Sequence, residues 1–500
     1  MTAQEDVIVE GVRKIDPDCC PMPENANPLG KPPDQTLLLD YFDSVAPMRD
    51  SWIKTNWYYH DQLARTLSFF IPAGSSVIEI GSGTGVLLDL LKPTRGLGID
   101  ISPAMVDIAR RNYSYLEFRT DDVENLETNE KFDYVVLSDL IGFLSDVQRS
   151  FENLHRVCHR STRILITHQH FLWEPVLHLA ERLGRKAKQP LLNWLTPHDV
   201  ANLLELADFE TIRSTSRLLL PVYLPVLSAL CNRILVNLPV FRHLALLRVI
   251  VARPRPVVME KPLSCTIVIP CRNERGNIEP AVERIPELGK HTEIIFVEGN
   301  STDGTREQIE RTIAQRRDRD IKLVAQEGRG KGDAIRRGFD KATGEILMIL
   351  DADLTVAPEE LPKFYAALAK GRADFVHGSR LIYPIQNEAM RFLNLLGNRF
   401  FSIVFTYLLD QKFKDTLCGT KVLLRSDYEK IARSREYFGD FDPFGDFDLI
   451  FGAAKLNLKI VEIPIHYLAR TYGITNISRF RHGLLLLQMA WYAMWKIKFA

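Results

Sequence analysis

The sequence lacks the features that mark several classes of protein. No C-x-x-C pair occurs among its seven cysteines, so a zinc site or redox dithiol of that spacing is not expected. Residues 1–14 contain acids and no apolar core, whereas a signal peptide needs an apolar stretch. A reducing, cytoplasmic setting is therefore the expectation.

Long uncharged apolar runs are also scarce. The longest candidate, residues 218–230, is about 13 residues long and is interrupted by Pro221 and Pro225, whereas a membrane-spanning helix needs about 20 residues. Residues 483–495 form a second short run, which Lys496 and Lys498 follow. Insertion across a membrane is not expected, but binding to a membrane surface is compatible with both tracts.

The chain lacks a net charge, since 63 basic side chains balance 63 acidic ones. A nucleic-acid partner, which usually requires a basic surplus, is therefore not expected. The balance is nevertheless uneven along the chain. Residues 211–259 carry seven arginines and no acid, and residues 463–500 carry five Lys or Arg and no acid. Two basic, apolar tracts thus interrupt an acidic remainder.

Five hundred residues predict two or three domains, each with its own core. Proline and arginine punctuate residues 251–262, which we interpret as a linker. Short apolar runs alternate with helical patterns on both sides of it, which is typical of βαβ units and parallel sheets. The predicted strands are residues 76–80, 96–100, 116–119, 134–138, 163–167, 210–214 and 245–251 before the linker, and 266–270, 293–298, 322–326, 346–351 and 375–378 after it.

The first half contains a glycine-rich turn after its first strand. Residues 77–85 read Val-Ile-Glu-Ile-Gly-Ser-Gly-Thr-Gly, and the glycines let backbone N–H groups approach a ligand. A purely structural turn is the alternative. Carboxylates follow the next three strands, where parallel strands bring side chains to one edge: Asp100, Asp121, Asp122 and Asp139.

These motifs resemble class I S-adenosylmethionine-dependent methyltransferases over about residues 75–254. The resemblance implies that Glu79 faces the methionine end of the cofactor and that Asp100 holds the ribose. Either Asp121 or Asp122 contacts the adenine amine, and Asp122 is favoured. The resemblance also implies that the glycines of the turn and the last aspartate bind the cofactor: Gly81, Gly83, Gly85 and Asp139. A dinucleotide-binding domain is disfavoured, because G-x-G-x-x-G is not matched.

The methyl acceptor cannot be read from the sequence. His168 and His170 follow the fifth strand and could act as a base or serve as polar lining. Residues 221–243 form an insertion between the predicted sixth strand and an antiparallel seventh. That insertion places the first basic, apolar tract beside the mouth of the site, although packing on the neighbouring domain is the alternative.

The second half contains an apolar strand that ends in Asp351-Ala-Asp353. A period of two puts both carboxylates on one side of the chain, where they could share a divalent cation with a diphosphate. A helix cap is the alternative. Other motifs occur in order around this pair: Ile-Val-Ile-Pro-Cys-Arg-Asn-Glu at 267–274, Glu-Gly-Asn-Ser-Thr-Asp-Gly-Thr at 298–305, Gly-Lys-Gly at 330–332, His-Gly-Ser-Arg at 377–380, residues 415–419, and Glu462-Ile-Pro followed by Arg470 and Gly473.

Together these motifs resemble family 2 glycosyltransferases of the GT-A fold, especially polyprenyl-phosphate sugar transferases such as dolichyl-phosphate mannosyltransferase, over about residues 264–481. The resemblance implies a metal site for Mg²⁺ or Mn²⁺ at Asp351 and Asp353, and a phosphate clamp at Arg470. It implies a nucleotide-sugar site that includes the metal pair and the following residues: Pro270, Asn273, Glu274, Glu298 and Lys331. Glu298-Gly-Asn-Ser replaces the usual Asp-Asp-Gly-Ser, so the nucleoside base stays open.

The acceptor of this second reaction has two alternatives. A lipid phosphate needs no strong base, and Arg380 and Arg391 would hold it. A hydroxyl needs a base, for which Asp446 or Asp448 is the candidate. Residues 483–500 are expected to form an amphipathic helix at the membrane surface, with packing on the core as the alternative.

The expected protein is an α/β enzyme with a Rossmann-like methyltransferase domain followed by a GT-A domain. The predicted divisions are an N-terminal segment and helical cap (1–72), the methyltransferase-like domain (73–256), a linker (257–263), the glycosyltransferase domain (264–482) and the C-terminal helix (483–500). The predicted function combines S-adenosylmethionine-dependent methyl transfer with metal-dependent, inverting transfer of a sugar to a polyprenyl phosphate. The predicted location is cytoplasmic, at the inner face of the cell membrane. The alternative is a non-lipid acceptor with a catalytically silent methyltransferase-like scaffold.

Overall fold

The computed structural model describes residues 35–190, 193–255, 262–381, 392–434, 446–468, 470, 472 and 479–498. The described chain forms two compact units that divide after Pro254, except that residues 212–214 group with the second. Each unit contains one seven-stranded sheet with its own core.

The first unit has a mostly parallel sheet in the order β3-β2-β1-β4-β5-β7-β6. Its strands are β1 Ser76–Ile80, β2 Arg95–Asp100, β3 Glu117–Thr120, β4 Phe132–Ser138, β5 Cys158–Gln169, β6 Phe209–Arg217 and β7 Leu247–Pro254. Its helices are α1 Gln35–Thr55, α2 Trp57–Phe70, α3 Val86–Leu91, α4 Pro103–Asn112, α5 Val147–Asn153, α6 Glu174–Arg182, α7 Pro197–Leu206 and α8 Leu227–Ala229.

Two features of this sheet position a site. β1 pairs in parallel with both β2 and β4, so the strand order reverses at β1 and a crevice opens at the carboxyl ends of these strands. β7 runs antiparallel to β5, with Thr167 opposite Val249, as the sequence predicts. The connection between β6 and β7 occupies residues 218–246, which contain the predicted insertion.

The second unit has a mixed sheet in the order β10-β9-β8-β11-β13-β12-β14, with β13 antiparallel to β11 and β12. Its strands are β8 Cys265–Cys271, β9 Thr292–Glu298, β10 Asp320–Ala325, β11 Ile346–Ile349, β12 Phe375–Ser379, β13 Lys421–Leu424 and β14 Ile460–Pro464. Its helices are α9 Ile278–Arg284, α10 Thr305–Gln315, α11 Lys331–Lys341, α12 Leu361–Ala369, α13 Phe392–Leu409, α14 Arg425–Arg433, α15 Asp446–Lys455 and α16 Arg479–Lys498.

Local chemistry explains many of these boundaries. Thr196 caps α7 through a reciprocal capping box with Asp199, and Pro197 occupies the first turn, where its missing N–H costs nothing. Ser102 caps α4 with a single hydrogen bond, by accepting the N–H of Met105 at 3.1 Å. β11 is buried along its whole length, which explains its unbroken apolar sequence.

All twelve predicted strands are present, but the sequence prediction missed β13 and β14. β13 lies inside the second sheet, between β11 and β12, and β14 lies at its edge; both are short and lack the long apolar runs of β8 and β9. The strand before the carboxylate pair ends at Ile349 rather than at Asp351, and the C-terminal helix begins at Arg479 rather than at residue 483. No helix in the described ranges is long and apolar enough to cross a membrane.

Candidate active sites

The glycine-rich turn lies at the carboxyl end of β1. Gly81 and Gly83 have φ angles of +75° and +52°, a region that L-residues with a side chain rarely adopt. A Cβ atom on Gly81 would lie 2.8 Å from the side chain of Leu140, whereas one on Gly83 would meet nothing within 4 Å. The backbone above Gly83 is therefore open to a ligand, and the turn tolerates no larger residue at Gly81.

Two buried carboxylates flank this turn. Asp100 ends β2 and accepts the N–H of Gly83 at 2.7 Å and the N–H of Ser102 at 2.9 Å. Glu79 lies on β1, and one of its oxygens has no hydrogen-bond partner among the described residues. Burial raises the pKa of both carboxyl groups, and the charge of Asp100 raises that of Glu79 further. Asp100 lines the cavity beside the turn, whereas Glu79 is not among its lining residues, so the contact of Glu79 with a cofactor stays a prediction.

The three remaining predicted aspartates also line the cavity beside the turn. Asp121 accepts the N–H of Asp122 at 2.8 Å, and Asp122 accepts the N–H of Glu124 at 3.0 Å. Asp139 has a φ of +51° and accepts the phenol proton of Tyr59. The contacts do not decide between Asp121 and Asp122 as the adenine partner, so the preference for Asp122 stays a prediction.

The cavity has a volume of about 610 Å³ and extends well beyond the turn. Arg49 and Trp52 of α1 and Tyr59 of α2 line one wall. The cavity is also lined by α6 and by the beginning of the β6–β7 connection, including Val176 and Val222. This volume is within the range of cofactor and small-molecule sites, and its lining is mostly apolar with a few polar groups. The donor set and the open turn fit S-adenosylmethionine.

The two histidines after β5 have different surroundings. His168 lines the cavity, is 5% exposed, and its Nε2 has no hydrogen-bond partner in the described structure. Burial and the charge of Arg248 lower the pKa of His168 to about 4, so the ring is neutral near pH 7. His170 instead accepts the N–H of Leu172 and stacks on Phe171. His168 is therefore the better placed of the two to contact an acceptor.

In the second unit, the Asp351 and Asp353 carboxylates each contact a basic side chain. Lys331, at the start of α11, lies 2.5 Å from Asp351 Oδ1. Arg470 donates to Asp353 Oδ2 at 2.7 Å and to Glu274 Oε1 at 3.0 Å. The other oxygen of Asp353 accepts the Thr355 hydroxyl at 2.8 Å, as a turn-stabilising carboxylate does.

These contacts bear on the predicted metal site. No group of three or more His, Cys, Asp or Glu side chains is arranged to hold a metal ion within the described ranges. Mg²⁺ is commonly bound by one or two carboxylates together with substrate phosphates, so a pair of carboxylates fits a cation that is shared with a diphosphate. The pair therefore fits Mg²⁺ or Mn²⁺ as part of a nucleotide complex, and not as a site that the protein completes alone.

Positive charge surrounds Asp351. Burial alone would raise the pKa of its carboxyl group, but Lys331, Lys421 and Arg380 outweigh that effect and hold the pKa below its usual range. The backbone of Gly419 lies next to this ion pair, and a Cβ atom there would overlap both Asp351 and Lys331. The carboxylate is thus ionised at neutral pH and held at a fixed position.

Two loops interlock beside the pair and carry the predicted nucleoside residues. Asn273, with a φ of +58°, donates its N–H to Ser301 at 3.0 Å and accepts the N–H of Thr302 at 2.8 Å. Glu298 ends β9 and accepts the N–H of Ser301 at 2.6 Å. Pro270, in β8, is half-buried next to this loop. The two loops are therefore fixed to each other before any ligand binds.

The predicted acceptor residues are less accessible than expected. Arg380 follows β12, and its guanidinium makes two hydrogen bonds to Asp415, at 2.7 and 2.9 Å. This buried ion pair holds the pKa of Asp415 well below its usual range, although burial alone would raise it. Arg391 lies outside the described residues. Asp446 begins α15, and Asp448 in its first turn is buried.

Comparisons with known proteins assign both halves. Residues 54–214 match the family description "Methyltransferase domain", and residues 266–432 match "Glycosyl transferase family 2". The chain joins a methyltransferase domain to a family 2 glycosyltransferase domain. The predicted fold class, enzyme class and family resemblance are thereby confirmed.

Two relatives match the glycosyltransferase domain. Glycosyltransferase AglJ of Haloferax volcanii is 29% identical over 227 residues, which are 45% of this chain and 70% of that protein. Dolichol-phosphate mannosyltransferase of Pyrococcus furiosus is 32% identical over 221 residues, which are 43% of this chain and 60% of that protein. The chain thus spans only part of each relative.

A solved S-adenosylmethionine-dependent methyltransferase from Thermotoga maritima resembles the methyltransferase domain. It shares 17% identity, with 44% of this chain and 99% of that chain covered, at a TM-score of 0.35. This likeness carries no weight beyond the family match.

Sequence reasoning missed several residues of both domains. In the methyltransferase domain, α1 supplies Arg49 and Trp52 to the cavity, and both precede the glycine turn in sequence. In the glycosyltransferase domain, Asp303 accepts the phenol proton of Tyr472 at 3.3 Å, and Lys421 contributes charge at Asp351. Asp303 lies inside a quoted motif and could have been found there. Lys421 is in β13, a strand that was not predicted, so nothing in its neighbourhood pointed to it.

Proposed function

We propose that the glycosyltransferase domain transfers a sugar from a nucleoside diphosphate to a polyprenyl phosphate. The observation that carries this proposal is the Asp351 and Asp353 pair with its basic partners, Lys331 and Arg470, beside the two interlocked loops. The dolichol-phosphate mannosyltransferase relative supports a polyprenyl phosphate acceptor. Asn273, Glu274, Glu298 and Pro270 would line the nucleoside.

The carboxylate pair would bind Mg²⁺ or Mn²⁺ when the nucleotide sugar arrives. When bound, that cation supplies positive charge next to the leaving diphosphate. Lys331 and Arg470 already neutralise the two carboxylates, so they are positioned to turn to the phosphate oxygens when the cation takes their place. The bidentate fork of Arg470 suits a phosphate, and its release from Glu274 would leave that residue free for the nucleoside.

A lipid acceptor is supported by an apolar face on two helices of this domain. α13 exposes Phe400 and Ile403, and α16 exposes Leu487, Trp491 and Trp495, which are one turn apart along one face. Aromatic side chains with nearby cations are typical of helices that lie in a membrane interface. A lipid phosphate is already anionic and needs no base, whereas a hydroxyl acceptor would need Asp446 or Asp448 as one. Of the predicted phosphate-binding residues, Arg391 and Arg380, the second would first have to leave its ion pair with Asp415.

We also propose that the methyltransferase domain binds S-adenosylmethionine and transfers its methyl group. The bound cofactor supplies an electrophilic methyl carbon. Glu79 would face its methionine end and Asp100 its ribose, while the glycine turn presents backbone N–H groups. Asp121 or Asp122 and Asp139 would complete the contacts from the neighbouring strands.

The two activities are tested separately. Purified protein is incubated with a panel of nucleotide sugars, short polyprenyl phosphates and Mg²⁺ or Mn²⁺, and products are identified by mass spectrometry. A glycosylated polyprenyl phosphate is expected with the wild type and not with Asp353→Ala. Transfer that is undiminished in Asp353→Ala would refute the assigned site, and transfer only to water or to a soluble glycan would refute the lipid acceptor.

Calorimetric titration with S-adenosylmethionine tests the first domain. Binding by the wild type and at least about tenfold weaker binding by Asp100→Ala are expected, because the ribose would lose its carboxylate partner. Asp107→Ala, at an exposed position of α4, is the control and should bind as the wild type does. Absence of binding by the wild type would instead support the silent scaffold.

A further inference from the structure

The connection between β6 and β7 exposes an unusual number of apolar side chains. We name residues 218–246 the apolar connection. It is described without gaps, and eleven of its large apolar residues are at least 37% exposed: Val222, Tyr223, Leu224, Val226, Leu227, Leu230, Ile234, Leu238, Val240, Phe241 and Leu244. Soluble proteins rarely expose apolar groups at such density unless the surface meets a partner.

α6 extends this surface. Four apolar residues in or next to α6 are also exposed: Leu172, Val176, Leu179 and Leu183. The indole N–H of Trp173 donates to the carbonyl of Leu244 at 2.8 Å, which ties the start of α6 to the end of the apolar connection. The two segments therefore form a single exposed surface of the first unit.

The same surface continues into the methyltransferase cavity. Val176, Leu179, Leu183 and Val222 are exposed to solvent and also line the cavity. Its inner end holds the glycine turn and His168, whose Nε2 has no partner in the described structure. A methyl acceptor that enters the cavity past α6 and the apolar connection therefore meets apolar side chains first and the imidazole of His168 last.

Charge indicates what the surface contacts. Arg233 of the apolar connection and Arg182 and Arg185 at the end of α6 are exposed. The 49 residues from 211 to 259 contain no Asp or Glu. Arginines that accompany exposed apolar side chains are suited to a bilayer that contains anionic lipid, because each cation near such a surface contributes about 1 kcal/mol to binding. An acidic protein partner would match the arginines alone, and a nonpolar protein partner would match the exposed apolar side chains alone.

We propose that the apolar connection and α6 dock on the surface of an anionic lipid bilayer, and that the methyl acceptor is the polar headgroup of a lipid in that bilayer. The inference rests on the proposed methyltransferase activity and names its substrate class. The apolar mouth would cover the part of the lipid nearest its headgroup, and a headgroup hydroxyl or amine would reach His168 and the glycine turn. That oxygen or nitrogen would form a bond to the methyl carbon as the methyl–sulfur bond broke, S-adenosylhomocysteine would leave, and the Nε2 of His168 would take the proton.

Flotation with vesicles tests the docking surface. All variants carry Trp491→Asp and Trp495→Asp, which remove the contribution of α16. Vesicles are phosphatidylcholine with or without about one third phosphatidylglycerol. The background protein should float with the anionic vesicles, and adding Leu224→Asp and Val226→Asp should reduce the bound fraction at least about tenfold. Leu224 and Val226 are 45% and 84% exposed, so their replacement removes little packing and the fold should survive.

A matched control adds the same charge elsewhere on the first unit. Tyr115→Asp and Leu206→Asp replace two exposed residues outside the proposed surface and should leave flotation unchanged. An equal loss in the control variant, or no loss in the Leu224→Asp and Val226→Asp variant, would overturn the docking proposal.

Product analysis tests the acceptor. Protein with methyl-labelled S-adenosylmethionine is incubated with vesicles made from the lipids of the producing cells. Label in the chloroform-soluble fraction supports a lipid acceptor, whereas label only in the water-soluble fraction overturns it and leaves methyl transfer intact. Failure of the methyltransferase proposal itself is distinct, since the calorimetric titration would then detect no cofactor binding.

Discussion

Each carboxylate of the Asp351 and Asp353 pair has its own basic partner, and this arrangement has energetic consequences. Asp351 is half-buried and paired with Lys331, while Arg470 links Asp353 to the buried Glu274. Removing one partner of a buried ion pair leaves an uncompensated charge, which costs several kcal/mol. The site therefore holds its charges balanced until a ligand with its own charges displaces them.

Arg470→Lys should reduce kcat/KM for the nucleotide sugar by about 100-fold, because one ammonium group cannot contact both Glu274 and Asp353 or bind a phosphate in two places. Steady-state kinetics with saturating Mn²⁺ measure the change. Arg316→Lys, at the exposed end of α10, is the control and should behave as the wild type does. Equal kinetics in the two variants would exclude Arg470 from the site.

His377 should make the stability of the glycosyltransferase domain depend on pH. The ring is fully buried on β12 opposite Lys421 and Glu462, and neither nitrogen has a hydrogen-bond partner among described residues. Burial, followed by the charge of Lys421, lowers its pKa to about 3, whereas an unfolded histidine has a pKa of about 6.5. Between these values the unfolded chain binds the extra proton, so stability falls as the pH drops from 6.5 toward 3.

We expect the thermal midpoint of the second unit to fall less between pH 6.5 and pH 4.5 in His377→Phe than in the wild type, since the variant keeps the shape of the ring and removes the proton site. His198→Phe replaces an exposed histidine of the first unit and serves as the control. Parallel pH profiles for the wild type and His377→Phe would contradict the assignment.

At the scale of the element, α16 confirms packing of the C-terminal helix on the core and leaves its binding to a membrane surface a prediction. One face buries Leu486, Met489, Ala493 and Ile497, and α16 packs against α13. Lys498 reinforces the end of the helix through an ion pair with Asp410 at 2.8 Å. The other face exposes aromatic side chains, so packing on the core and presentation of an apolar surface are compatible in a single helix.

Substitutions on the two faces of α16 should have opposite effects. Met489→Ala removes buried side-chain volume and should lower the free energy of unfolding of the second unit by about 2 kcal/mol, with vesicle binding retained. Trp491→Ala combined with Trp495→Ala should leave stability within about 0.5 kcal/mol and reduce vesicle binding. Urea denaturation and flotation measure the two quantities, and a loss of stability in the double tryptophan variant would mean that these side chains are packed.

At the scale of the whole molecule, the chain contains two units, each with a separate sheet, core and candidate site. A ligand stabilises only the unit that binds it, by an amount that grows with the ratio of its concentration to its Kd and reaches about 2.7 kcal/mol at a ratio of 100. Ligand effects can therefore assign each unfolding transition to a unit.

S-adenosylmethionine should raise the midpoint of one calorimetric transition, and Mn²⁺ with a nucleotide sugar should raise that of another. Asp100→Ala should reduce the first shift alone, and Asp353→Ala the second alone. A single transition that both ligands shift equally would mean that the two units unfold as one.

The sequence by itself determined the class of each domain and most of its strands. The glycine turn, the Asp-x-Asp pair and the ordered motifs are local, and their chemistry depends on residues that are adjacent in the chain. The alternation of apolar runs determined twelve of the fourteen strands, because burial on both faces of a parallel sheet requires continuous apolar sequence. β13, which lies between β11 and β12, and β14, at the edge of the sheet, are short, so no such run indicated them.

Only the tertiary structure decided which charges meet. Arg470 contacts Glu274 across 196 positions of sequence, and Arg380 is bound to Asp415 instead of lying free for a lipid phosphate. It also brought α1, α2 and the apolar connection to one cavity beside the glycine turn. Ion pairs and cavities form between segments that the fold brings together, and the periodicity of one segment does not predict which distant segment it will contact.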